Sequence, residues 1–155
     1  MSNWLSITKA TLNEASIAAL IDACDSAALG DNQANRAAGI IQGRIDHIRR
    51  KIASNRRNLL DADLTTIPKG LRDLAVDLII ARLKTALTIE LSKDESEAVA
   101  RHERDLNRIA SAEDVVDQPD TAIAAPMEPG VGSPSFGTRG VNQPPRNFND
   151  KTQDG

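Results

Sequence analysis

Apolar residues recur at helical spacing over most of the first 112 residues. The densest stretch is Ile67–Leu87, IPKGLRDLAVDLIIARLKTAL. Leu71, Leu74, Ala75 and Leu78 form one stripe; Val76, Ile80, Leu83 and Leu87 form a second, with Ile79 between them. Two stripes require two sets of neighbours, which predicts a helix in the middle of a bundle. Pro68 stands where proline suits a helix start, with φ already fixed and no N–H to lose. Arg72, Asp73, Asp77, Arg82 and Lys84 leave only a narrow polar strip. The stretch is long enough to span a membrane, but five charges, each costing about 3 kcal/mol at mid-bilayer, argue against insertion.

The flanking segments carry simpler patterns. Residues 1–29 read as a lead-in and one or two short helices, with Ser6 or Thr8 capping the first and Ser16 the second. In the second, Ile17, Leu20, Ile21, Cys24 and Leu29 face inward, and Gly30 stops the helix. Asp31 or Asn32 opens the next helix, which runs to about Ala53. Ile41, Ile45, Ile48 and Ile52 make a single clean stripe there, and the other faces carry Arg36, Arg44, Asp46, His47, Arg49, Arg50 and Lys51. A loop over residues 54–66 adds Arg56 and Arg57. After Leu91, SKDE is a capping box, Ser92 with Glu95, that starts a last helix to about Ala112. Its apolar stripe is narrow (Val99, Leu106, Ile109, Ala110). Glu97, Arg101, Glu103, Arg104, Asp105 and Arg108 alternate in charge over the rest, so one side covers the core and the other meets water or a partner. Leu74, Leu78 and Ile80 are expected to be buried against Ile45, Ile48 and Leu106.

Composition supports an all-α fold. Of 155 residues 40% are hydrophobic, enough for one domain with a real core, but only 2% are aromatic. A core of Ala, Leu and Ile favours close helix packing over a sandwich or barrel, and no alternating run of convincing length predicts a strand. The expectation is a bundle of four to five helices around a central buried helix, spanning residues 1–113. The single Cys24 excludes an intrachain disulfide and reads as a small buried hydrophobe. The start, MSNWLSITKATL, lacks the basic opening and long apolar core of a secretory signal, which predicts a soluble protein made in a cytoplasm.

Composition changes at about Asp114. Residues 114–155 hold six of the seven prolines and five of the nine glycines. With few long apolar side chains this part cannot offset its ordering entropy alone, so it reads as an extended arm that needs a partner. Phe136 and Phe148 are spaced as anchors for pockets on that partner, Arg139 and Arg146 stand ready to pair with acidic groups beside them, and Pro144 and Pro145 favour an extended backbone.

Candidate chemistry is sparse. His47 and His102 lie on different helices with no ligand at metal spacing, and no Ser-His-Asp or Cys-His set has a local signature. Asp61 and Asp63 form too short a signal for a cation site. The glycine-rich EPGVGSPSFGTRG lacks the strand and the lysine-serine of a phosphate loop. The reading is a non-enzyme with no cofactor and no metal. The charge concentration of note is Arg44, Arg49, Arg50, Lys51, Arg56 and Arg57, which suits phosphates or an acidic protein surface. No aromatics are interleaved, which disfavours stacking on single strands. A net charge of -3 weakens the case for an autonomous DNA binder.

A short helical pair, a long helix, a basic loop, then I-P-x-x-L-R-D-L-A-V-D-L-I-I-A-R-L and a charged helix R-H-E-R-D-L-N-R-I-A form a familiar order. Over roughly residues 5–115 the chain resembles the head–tail connector (adaptor, or head-completion) proteins of tailed bacteriophages, especially the Mu-like type. That family has a proline before a helix of the form P-x-x-L-x-x-x-A-x-D-I-A-R-Y-x-L, and Pro68, Leu71, Ala75, Asp77, Leu78, Ala81 and Leu83 fall near those places. Asn55-Arg56-Arg57 stands where the family has R-Y, and Ile109-Ala110-Ser111-Ala112 stands where it has I-A-x-G. The resemblance implies a structural virion protein that docks on the portal protein as a ring, commonly of twelve copies. Such a ring extends the channel for packaged double-stranded DNA and offers a surface to the tail-completion or stopper protein, at the virion neck and away from any membrane. Arg44, Arg49, Arg50, Lys51, Arg56 and Arg57 would then meet the DNA channel, without sequence preference, or an acidic rim. Phe136, Arg139, Pro144, Pro145, Arg146 and Phe148 would bind the portal or a neighbouring subunit. The alternative is a small helical nucleic-acid-binding regulator using residues 44–57.

Overall fold

The computed structural model describes residues 2–12, 14–27 and 35–121. The elements are β1 (Trp4–Ser6), α1 (Ala15–Ser26), α2 (Arg36–Ser54), β2 (Thr66–Pro68), a 3-10 turn at Lys69–Leu71, α3 (Arg72–Ala86) and α4 (Lys93–Ala110). This is a small, mostly helical bundle with one two-stranded ladder. The sequence reading of the leader gave helix caps at Ser6, Thr8 and Ser16. Instead Ser6 ends β1, Thr8–Thr11 is a turn closed by the Thr11 hydroxyl, and Ser16 lies inside α1. Gly30, Asp31 and Asn32, read as helix boundaries, lie outside the described residues, as does Leu29.

Helix α3 packs against α1, α2 and α4, and α2 likewise touches all three other helices, so the central position is shared. Leu74, Ala75, Val76, Leu78, Ile79, Ala81 and Leu83 of α3 are buried, which accounts for a helix with almost no polar face. The α2 stripe Ile41, Ile45, Ile48 and Ile52 is buried throughout, as are Ile17, Ile21 and Cys24 of α1. Leu106 and Ile109 bring α4 onto this core. Ile80 is only half-buried, unlike the full burial expected of it, and faces the edge of the α3/α4 contact.

Helix ends are set by specific groups. Ser92 Oγ accepts from Glu95 N at 3.2 Å and Glu95 returns to Ser92 N at 2.9 Å, the capping box expected from SKDE. The α2 N-terminus is capped from a distance: Ala37 N donates to Asp25 Oδ1 of α1 at 2.9 Å, while Lys9 pairs with Oδ2 of the same carboxylate. Helices α3 and α4 both end in the left-handed region without glycine, at Thr88 (φ 58°) and Ala112 (φ 65°). In each case the amides that follow turn back onto the last carbonyls, Ile89 N to Lys84 O and Glu113 N to Arg108 O among them.

The ladder was not expected. Trp4, Leu5 and Ser6 pair antiparallel with Pro68, Ile67 and Thr66. Pro68 therefore ends a strand, and its helix starts at Arg72 after the 3-10 turn. Beyond α4 the chain does not leave the domain at Asp114. Residues 114–121 run back as a strap across the end of α2. Asn55 Nδ2 donates to Asp114 O, Val116 N to Asn58 Oδ1, Leu59 N to Gln118 Oε1 and Ala62 N to Thr121 O. The compact unit is Met1–Ala125, so packing continues past the change in composition. Phe136, Arg139, Pro144, Pro145, Arg146 and Phe148 lie outside the described residues.

Candidate functional site

The six basic residues between Arg44 and Arg57 separate into three environments. Arg56 and Arg57 are exposed at the tip of a turn that follows α2. Two buried asparagines hold it: Asn55 Oδ1 accepts from Arg57 N at 3.0 Å, and Asn58 N donates to Asn55 O. The amides that shape the turn point inward and both arginines point out. Arg50 is exposed one turn earlier on α2, its Nε 3.3 Å from Asp46 O. Lys51 reaches α4, donating to Asn107 Oδ1 at 2.7 Å, and is half-buried.

Arg49 is a correction to the reading that grouped it with the contact residues. It is only 4% exposed. Its Nη1 donates to Asp63 O at 3.0 Å and Thr66 O at 2.8 Å, and its Nη2 to Asp61 O at 2.7 Å. The guanidinium carbon lies 5.6 Å from the centre of the Trp4 ring. Burial lowers its pKa, and the charges of Asp61, Asp63 and Asp46 oppose that. Trp4 in turn donates Nε1 to Asp117 O of the strap at 2.8 Å. One arginine thus ties α2, the 61–66 loop and, through Trp4, the strap. Helical position could have revealed this, because Arg49 is four residues after Ile45 and three before Ile52, on the flank of the buried stripe.

Arg44 belongs to a different cluster. It lines an open trough on α2 of about 530 Å³ together with Arg36, Gly39, Ile40, Gly43 and Arg82 of α3. Arg36 also donates to Ala86 O at 3.0 Å, a cation at the C-terminal end of α3. Arg82 is distant in sequence, and only antiparallel packing of α2 and α3 brings it here. Among the described residues no carboxylate lines this trough.

Several other titratable groups serve the fold. His47 of α2 meets Glu103 of α4 at 3.1 Å, and His102 of α4 meets Asp77 of α3 at 2.9 Å. Both histidines therefore fasten α4. The Asp61 carboxylate accepts from Thr121 Oγ1 and Thr66 Oγ1 and from nearby backbone amides. The hydroxyl of Thr121 contributes most to holding its pKa below the usual 3.8. Asp63 accepts from Thr65 N and Oγ1, shaping the same loop and lowering its own pKa. The Cys24 thiol is buried with its pKa raised by that burial. Among the described residues no group of three or more His, Cys, Asp and Glu side chains is arranged to hold a metal, and no helix is long and apolar enough to cross a membrane. No protein-family model, no curated protein and no solved structure matches the chain.

Proposed function

We propose that this chain is a structural interaction protein, a head–tail adaptor of a tailed bacteriophage that assembles as a ring on the portal. The carrying observation is that the exposed basic turn and residues 114–121, the last described part of the chain, share one corner of the domain. Arg56 and Arg57 adjoin Asn58 and Leu59, which hold Val116 and Gln118, and the strap ends against Ala62. A subunit so built offers phosphates or an acidic rim a weak, salt-sensitive surface, and sends an extended arm to a second surface from the same place. The C-terminal arm, from about Phe136 onward, attaches to the portal or to a neighbouring subunit through Phe136, Arg139, Pro144, Pro145, Arg146 and Phe148. The positions that carry the resemblance are consistent with this: Ala75, Leu78, Ala81 and Leu83 are core residues of α3, the helix on which the bundle depends.

The rival reading, a nucleic-acid-binding regulator, draws support from the three-arginine trough. Imaging the neck of DNA-filled particles that contain the chain separates the two. The adaptor reading predicts a ring of this subunit around the channel, below the portal. Particles lacking it there, together with a free chain that shifts a DNA fragment with a steep salt slope, would establish the regulator instead.

A further inference from the structure

Between the second half of α3 and the first half of α4 lies a groove of about 270 Å³. Its floor is Ile80, Ala81, Ala98 and Val99, and its rim is Asp77, Asp94 and Glu95. Two of the rim carboxylates are engaged, Asp77 by His102 and Glu95 by Lys84 and the Ser92 amide. Asp94 is exposed and makes no ion pair or hydrogen bond among the described residues. The groove is smaller than the ~300–1,000 Å³ of small-molecule sites. An apolar floor with an acidic rim suits one anchor side chain with a cation beside it.

The chain itself contains such a segment. Residues 133–149, SPSFGTRGVNQPPRNFN, hold both phenylalanines and two arginines and no acidic residue. Arg146 stands two residues before Phe148, and Pro144-Pro145 favours an extended approach. We propose that the α3/α4 groove of one copy receives the Arg146–Phe148 segment of a second copy, Phe148 on the apolar floor and Arg146 against Asp94. The proposal rests on the ring reading above and supplies its subunit contact.

The length of the arm allows a second copy. Thr121, the last described residue, accepts from Ala62 N, and Ala62 lies between Asp61 and Asp63, whose carbonyls take the Arg49 guanidinium in the second half of α2. Contacts of His47 with Glu103 and Lys51 with Asn107 show that α2 and α4 run parallel. The groove lies toward the other end, along the first two turns of α4. The residues between Thr121 and Arg146 cover up to ~80 Å when extended, ample for a neighbour. Contact from one end of a copy to the other end of the next is heterologous, the kind that closes rings.

The test uses full-length chains in sedimentation equilibrium over a rising concentration series. The wild type should gain mass with concentration. Phe148→Ala and Asp94→Arg should each weaken association by at least about tenfold, and Asp94→Arg combined with Arg146→Asp should restore it. Circular dichroism should show all variants helical, since Asp94 is exposed and Phe148 belongs to none of α1–α4. Mixing Asp94→Arg chains, which keep the arm, with Phe148→Ala chains, which keep the groove, should give pairs that neither forms alone. A wild type that stays monomeric, variants that associate like wild type, or a mixture that forms no pairs would each overturn the proposal. Copies that pair this way without a ring at the neck would leave this contact standing and remove the adaptor reading. A neck ring built equally well by Phe148→Ala and Asp94→Arg chains would do the reverse.

Discussion

Helix α3 and the corner around Arg49 are both buried, and they are held by opposite means. Every buried residue of α3 is apolar, from Leu74 to Leu83. Around Arg49 lie buried Asn55, Asn58, Asp61 and Thr66, and no buried side-chain N or O among the described residues lacks a partner. Hydrophobic contacts are many, weak and replaceable, so a helix such as α3 tolerates volume-conserving change. A buried polar network tolerates loss of a member badly, because each remaining group keeps its desolvation cost without its partner. The corner also joins segments far apart in sequence, β1, the 61–66 loop and the strap, which no single helix could connect.

The sharpest way to break that contrast is Arg49→Met, which keeps the apolar stem and removes the guanidinium. Three carbonyls lose their donor, and the expected loss is about 3–5 kcal/mol in urea denaturation. Arg49→Lys should recover only part, since an ammonium lacks the planar fork. Leu78→Ala should cost about 2–5 kcal/mol by the cavity it leaves. A loss below about 1 kcal/mol there would mean that α3 is peripheral.

Acid distinguishes the regions further. The Asp25 pKa is lowered chiefly by its bond from Lys9 and then by the Ala37 amide; Asp61 is lowered chiefly by Thr121. Depressed folded values mean that this stability is present above the ordinary 3.8 and is lost as pH falls through the lower folded values. Hydrogen exchange in acid should therefore open the Ala37 and Ala62 amides before the middle of α3. Asp25→Asn and Asp61→Asn should flatten that pH dependence. The smallest effect is a gain: Ala112→Gly, at φ 65°, should stabilise by about 1 kcal/mol.

The helices were legible because their apolar positions repeat over several turns. Ile41 to Ile52, the double stripe of α3 and the SKDE capping box each state their structure through spacing alone. The ladder was not, because three residues per strand carry no readable period, and its partners are distant in sequence. The strap was misjudged for a related reason. Composition at Asp114 reports low apolar content, whereas the strap is held by backbone groups and by Asn55, Asn58 and Trp4. For the candidate surface, charge type found Arg50, Arg56 and Arg57 but could not sort Arg49 from them or add Arg82. Both outcomes depend on tertiary packing. Even so, the spacing of Arg49 from Ile45 and Ile52 held a clue to its burial.

The central claim is that one basic run is divided between fold and partner. The most direct measurement takes Arg49→Met and the double reversal Arg56→Glu, Arg57→Glu through the same two assays, urea denaturation and assembly of infectious particles. The account predicts that Arg49→Met loses stability, while the double reversal unfolds like wild type and fails in assembly. A double reversal that assembles at normal yield, or an Arg49→Met chain as stable as wild type, would contradict it.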